Sequence, residues 1–213
     1  MAATIVGKPA APDKLNQTAR QLFARFCQEF VAEGFSEVGQ YRDGDRLYLV
    51  FARPRRSITA DDIPVIRAQL LELVNQARSV PRQCGDKPYA AASPVRYSND
   101  LARAAVVHAA DMARRNQLDH LGSDGSNPGE RISRAGFRWR VVGENLALGF
   151  DNAAEVVRGW LDSPVHCENI MDARFEDMGV AFAISSGPDA VVYWAQSLAA
   201  PASPKPARVT ASR

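Results

Sequence analysis

The sequence is poor in the residues on which most site chemistry rests. It has three histidines and three cysteines among 213 residues, so imidazole or thiol chemistry has few positions to draw on. No run of about 18 apolar residues occurs, which excludes a transmembrane helix. The formal net charge is only +2, which argues against nucleic acid as a partner. There is no G-x-S-x-G nucleophile elbow and no H-E-x-x-H helix. A Gly-rich phosphate loop and a regular βαβ period are also missing, which argues against a doubly wound nucleotide binder. His166-Cys167-Glu168 matches H-x-E, but no P-C-x-x-C follows, so a zinc deaminase is not indicated. The N-terminus lacks a basic stretch followed by an apolar core. Read plainly, the chain is not a secretion precursor: it is cytoplasmic, or its leader was removed and replaced by a start methionine.

What is present reads as soluble and globular, with 46% hydrophobic and 23% charged residues. The length suits one ordinary domain, or one plus a small extra unit. Residues 1–13 are small and Pro/Ala-rich, a loose lead-in. Over 14–33, Leu15, Leu22, Phe23, Phe26 and Phe30 recur at helical spacing, and Gly34 ends the pattern. Two β-prone runs, 36–42 and 45–52, flank Asp43-Gly44, a hairpin signal. This helix–hairpin unit is too small to bury much apolar surface alone. It is expected to pack on the main domain through Phe23, Phe26 and Phe30, as a structural extension or a partner-binding appendage.

Residues 59–62 cap the next helix, which carries Ile66, Leu70 and Val74 and ends near Arg78. Asn99-Asp100 caps a helix from Leu101 to about Gln117. His108 lies on its apolar side and reads as a core residue. Residues 122–129 are turn chemistry whose acids and hydroxyls suggest calcium, but the spacing is not that of an EF-hand. The loop is read as positioning His120, with Asp124 as a metal ligand the lesser alternative. A short helix over 128–135 and a strand over 137–142 follow. Asp151-Asn152 caps a helix through Val156 and Trp160. Ser163-Pro164 then starts another helix, with serine as N-cap and proline in the first turn. His166 and Cys167 fall in that first turn, where the helix dipole favours a neutral imidazole. Two strands, 178–184 and 191–198, complete the pattern before a Pro-, Ala- and Arg-rich tail that reads as disordered.

Four stretches recur in a telling order: Asp119-His120-Leu121-Gly122-Ser123-Asp124-Gly125-Ser126, Gly143-Glu144-Asn145-Leu146-Ala147, the run from Trp160 through Ser163-Pro164-Val165-His166 to Asn169-Ile170-Met171, and Tyr193-Trp194-Ala195-Gln196. Together, over roughly residues 63–201, they resemble the bacterial branch of the CAP superfamily. That superfamily holds the cysteine-rich secretory proteins, antigen-5-type venom allergens and plant pathogenesis-related proteins. The resemblance implies an α+β fold, an α–β–α sandwich with a central, mostly antiparallel sheet. The expected division is an extension over 1–58, a CAP domain over 59–201 and a tail over 202–213.

The resemblance also implies that His120, Glu144 and His166 meet in one cleft, with Asp162, Ser163 and Gln196 beside them. Two neutral imidazoles and a carboxylate make an open zinc site, or a site for another divalent ion. Without metal, the same residues are a polar cluster bracing loops. With metal at His120 and His166, Glu144 is a candidate base for a peptidase or esterase. A Cys84–Cys167 disulfide is implied as well; the alternative is two buried thiols, and Cys27 is left over. Two departures from the family pattern stand out. Val165 replaces the glycine of S-P-G-H, which is expected to narrow access to the cleft. The second acid of eukaryotic relatives falls near Ser163, with Asp162 adjacent. The resulting expectation is a secreted or periplasmic protein, more a binding module than an enzyme, whose partner is a small ligand, a lipid or a protein at the envelope.

Overall fold

The computed structural model describes residues 2–7, 35, 37–44, 46–52, 62–187 and 190–202. Contacts group the chain into two compact units, 1–57 and 58–213. The expected helix over 14–33, with Phe23, Phe26, Phe30 and Cys27, lies outside the described residues, as does the tail beyond residue 202.

The first unit holds a three-stranded sheet in the order β1-β3-β2. Strands β2 (Glu37–Asp43) and β3 (Arg46–Ala52) form the hairpin expected around Asp43-Gly44. Gly44 adopts φ +57°, the left-handed conformation such a turn demands. The loose lead-in is corrected: β1 (Ala2–Gly7) pairs antiparallel with β3 from Ala2↔Ala52 to Gly7↔Leu47. Its Thr4-Ile5-Val6 run is β-branched and suits a pleated strand.

The second unit begins with α1 (Ile63–Arg78), with proline in its first turn. Asp62 holds the N-cap position, though its side chain makes no capping hydrogen bond to the helix. Within 81–94, where a loop was expected, β4 (Arg82–Cys84) and β5 (Lys87–Tyr89) form a short ribbon. Helix α2 (Asn99–Arg115) is capped one residue earlier than expected, by Ser98, whose hydroxyl accepts the Leu101 N–H at 3.4 Å. Helix α3 (Pro128–Arg134) opens with a capping box: Asn127 accepts the Glu130 N–H, and Glu130 accepts the Asn127 N–H. Helices α4 (Ala153–Asp162) and α5 (Pro164–Met171) follow in tandem. Asn152 caps α4 by accepting the Glu155 N–H at 2.9 Å.

Four strands form the central sheet in the order β6-β8-β9-β7: β6 (Arg96–Tyr97), β7 (Trp139–Leu148), β8 (Asp177–Ile184) and β9 (Val192–Pro201). Only the short β6–β8 pair is parallel. Strand β7 runs six residues beyond the expected 142 because Leu146 and Ala147 are buried on opposite faces. Side chains alternate across the sheet, so each strand feeds two cores. Met178, Val180, Trp194 and Leu198 pack with Leu70, Val74, Trp160 and Ile170 of α1, α4 and α5. Ala181, Tyr193 and Ala195 pack on the other side with Ala105, Ala109 and Met112 of α2. The architecture is therefore the α–β–α sandwich. Asn75 and Arg78 are structural. Asn75 exchanges hydrogen bonds with the Val95 backbone, and the fully buried Arg78 donates to the carbonyls of Ser93, Ile170, Asp172 and Phe175.

Candidate functional site

The alternation along β7 decides what the site can be. Leu146 faces the α2 core and Ala147 the opposite one, so Glu144 points toward α2 and Asn145 away from it. The Glu144 side chain is only 3% exposed. Its Oε1 accepts from His120 Nδ1 at 2.8 Å, and its Oε2 accepts from Arg131 Nη2 at 2.8 Å. His108 Nε2 lies 3.7 Å from the same Oε1 and bonds the Asp119 carbonyl at 2.8 Å. Arg131 also donates to the carbonyls of Ser126 and His120, which ties the turn-rich loop to the carboxylate. His120 is thus positioned by its own backbone and by its ring. Its side chain remains 55% exposed, with Nε2 directed away from the Glu144 contact.

On the other face, Asn145 donates to Gln196 Oε1 at 2.9 Å and to the His166 carbonyl at 3.1 Å. Asn169 of α5 donates to Asn145 Oδ1 at 2.8 Å and to the Glu144 carbonyl at 3.2 Å. This amide chain fastens α5 to β7, the edge strand between the two layers. His120 comes from the layer of α2, His166 from the layer of α5. The His166 ring makes no hydrogen bond to Glu144 among the described residues. Burial lowers its pKa, and the charge on His120 lowers it further. His120 moves the other way: the hydrogen bond to Glu144 raises its pKa against a smaller opposing effect of burial. His108 is lowered, chiefly by burial.

The remaining expected site residues are placed as follows. Among the described residues, no group of three His, Cys, Asp or Glu side chains is arranged to hold a metal ion, and both Glu144 oxygens accept hydrogen bonds from protein donors. Gln196 is fully buried behind the site rather than lining a cleft. Ser163 occupies the N-cap position of α5 but its hydroxyl makes no capping bond. Asp162, at the end of α4, is exposed. Val165 stands 69% exposed, so its bulk lies in solvent and does not close the site. Asp124 is held by Arg134 and by the Ser126 N–H, which makes it a brace of its own loop. The implied Cys84–Cys167 disulfide is formed, with Cα atoms 5.5 Å apart. It anchors α5 one residue from His166.

Sequence reasoning missed Arg131 and the approach of His108 to Glu144. Nothing in the spacing marks Arg131, which sits in the seven-residue helix α3. A signal for His108 existed in its place on the apolar face of α2, but that pattern reads equally well as packing.

The opposite shifts give a pH signature. Imidazole titration by NMR should place the His120 midpoint above the ordinary value of 6.5 and that of His166 below it. Glu144→Gln should bring His120 back toward 6.5. For stability, His120 contributes fully below its unfolded pKa, and that contribution is lost as pH rises through its raised folded value. His108 and His166 resist protonation in the fold, so their contribution falls away as pH drops below 6.5. Coincident midpoints for His120 and His166 would contradict this geometry.

Comparison with known proteins agrees with the architecture. The family described as CAP, the cysteine-rich secretory protein family, matches residues 71–198. The uncharacterized protein YkwD of Bacillus subtilis (strain 168) is 30% identical over 94 residues, 44% of this chain. The chain spans about a third of that relative's length, 36%. An extracellular protein of Bacillus anthracis str. Ames containing an SCP domain is similar in fold, with a TM-score of 0.53 at 14% identity. That match covers 82% of this chain and 70% of the other. An outer surface protein from Borrelia burgdorferi matches with a TM-score of 0.52 at 18% identity, over 68% of this chain and 96% of its own.

Proposed function

The chain belongs to the cysteine-rich secretory protein (CAP) family, and on that premise we propose that it is an extracytoplasmic binding module in which His120 and His166 hold a divalent cation. The observation that carries the reading is the 2.8 Å bond between His120 Nδ1 and a buried Glu144 carboxylate. A carboxylate that accepts from one imidazole nitrogen fixes the tautomer and leaves the other nitrogen as a lone-pair donor. His166, kept neutral by burial, supplies a second imidazole. Two imidazoles with open positions suit zinc, copper or a similar borderline ion and leave room for ligand groups from a partner or small molecule. A bound cation would supply Lewis acidity there. This chain's own residues orient His120 through Glu144, hold Glu144 through Arg131, and fasten the His166 helix through Asn145 and Asn169. The external address is supported by the Cys84–Cys167 disulfide, and by the extracellular and outer-surface proteins that share the fold.

The hydrolytic reading requires Glu144 to accept a proton from an attacking water. Both its oxygens are bonded and its side chain is 3% exposed, which opposes that role. Calorimetric titration with zinc tests the proposal. Wild type should bind in the micromolar range, while His120→Ala and His166→Ala should each lose binding. Affinity should fall as pH drops through the raised His120 pKa, because the ligand must be deprotonated. Absence of binding by wild type, or binding retained in both variants, would sink the cation reading.

A further inference from the structure

A concavity lined in part by Arg131 lies between α2, α3 and the loop after His120. Its volume is about 470 Å³, and neither His120, Glu144 nor His166 lines it. That volume is in the range of small-molecule sites. One wall is a single stripe of α2: Ala104, Val107, His108 and Asp111, spaced i, i+3, i+4, i+7. Ala135 faces them. Ala104, Val107 and Ala135 give the cavity an aliphatic part, to which Ser123, Ser126 and Arg131 add polar groups.

Its two ends carry complementary chemistry. Arg103 and Arg134 also line it, and their side chains are 61% and 60% exposed. Arg103 uses only Nη2, toward Asp100 and the Ala135 carbonyl; Arg134 uses only Nη1, toward Asp124. The remaining guanidinium donors of both have no protein partner among the described residues. Asp111, which also lines the cavity, is occupied by Arg114, Arg115 and Ser123 and is held down to about 2. Among the lining residues His108 is fully buried. Its Nε2 faces the Asp119 carbonyl and so carries the proton. Its Nδ1 is then an acceptor, and it is a buried atom with no partner among the described residues. Arg103 and His108 are five residues apart on one helix, about 7.5 Å along its axis at 1.5 Å per residue.

We propose that this cavity is a binding site for a small organic acid with an apolar body and a hydroxyl at its far end. Arg103 and Arg134 take the carboxylate at the mouth, the alanine and valine side chains take the body, and His108 Nδ1 accepts the hydroxyl. The site shares Arg131 and His108 with the surroundings of Glu144, but neither His120 nor His166 lines it and it needs no cation.

The probe is 3-(4-hydroxyphenyl)propionate, added to the metal-free, full-length protein under chelator and followed by amide NMR. Running without metal keeps the result independent of the cation reading. Saturable shifts are expected in residues 104–108, 122–126 and 135. The uncharged amide of the probe and its deoxy analogue, 3-phenylpropionate, should each bind at least about fivefold more weakly, the loss of one charge-assisted or one buried hydrogen bond. Val107→Trp, at a site 63% exposed and tolerant of bulk, should block the cavity and abolish the shifts. Absence of saturation, equal binding of the amide or the deoxy analogue, or undiminished binding by the folded tryptophan variant would each overturn the proposal.

Discussion

Gly179→Ala should destabilise the second unit by more than about 3 kcal/mol, at the upper end of overpacking substitutions. Gly179 lies in the middle of β8, opposite Ser197 of β9. A Cβ built there would collide with the Ala102 nitrogen and the Leu101 carbonyl carbon, and would stand 2.7 Å from the Ala102 Cα. All three are backbone atoms in the first turn of α2, so no rotamer change relieves the clash. The turn is itself fastened to the strand: Ser98 donates its N–H to the Met178 carbonyl at 2.8 Å, and Ala102 donates to the Ser98 carbonyl at 3.0 Å. Moving the helix outward therefore breaks the cap and lifts Ala105, Ala109 and Met112 from Ala181 and Ala195. Urea or thermal unfolding reads the effect directly; 3 kcal/mol corresponds to roughly 6–12 °C for a unit of this size. A midpoint within about 1 °C of wild type would show that α2 does not approach the sheet this closely.

That close approach explains how much of the molecule was legible beforehand. The elements with strong local signals were readable: the Asp43-Gly44 hairpin, the Leu70/Val74 face of α1, the Asn152 cap and the two closing strands. Their signals are local because turn conformation, side-chain capping and periodic burial are each set within a few residues. Strand β1 was missed because a six-residue strand between small residues carries little periodicity, and its partner residues lie between those of Gly7↔Leu47 and Ala2↔Ala52, far along the chain. The β4–β5 ribbon was missed because its pairing follows from the disulfide-bearing loop rather than from an apolar pattern.

The site divides in the same way. His120, Glu144 and His166 could be picked out because each stands in a motif. The roles could not, since they depend on which face of β7 each residue occupies. Glu144 and Asn145 are sequence neighbours that serve opposite layers, one holding His120 and the other the backbone of His166. Arg131 was illegible because a buried guanidinium looks like any surface arginine until its partner is known. Once in place it occupies the second oxygen of Glu144, so that both carboxylate oxygens are bonded within the protein.

The double variant Cys84→Ala/Cys167→Ala should lose about 4.5 kcal/mol, the chain-entropy value for a crosslink closing a loop of this length. The bond joins residues 83 apart in sequence, so in the unfolded state it removes a large share of the chain's freedom. Both cysteines are buried, at 1% and 0% exposure, so the native bond should resist reductant until the unit opens. A thiol count on oxidised native protein should accordingly find one free thiol of the three cysteines. The loss is large against an ordinary stability of about 5–15 kcal/mol. It falls on the segment that carries the proposed ligand His166: Cys167 follows His166 directly in α5, and Cys84 belongs to the ribbon beside it. Zinc affinity should therefore drop together with the unfolding midpoint, and dithiothreitol should act on both only after slow reduction. A loss below about 1 kcal/mol would mean that packing of Trp160, Ile170 and Met171 alone positions α5. The argument for an oxidising compartment would then lose its main physical support. A loss near the expected value would make that compartment a condition of the fold, since the same chain kept reduced would stand close to the threshold of stability.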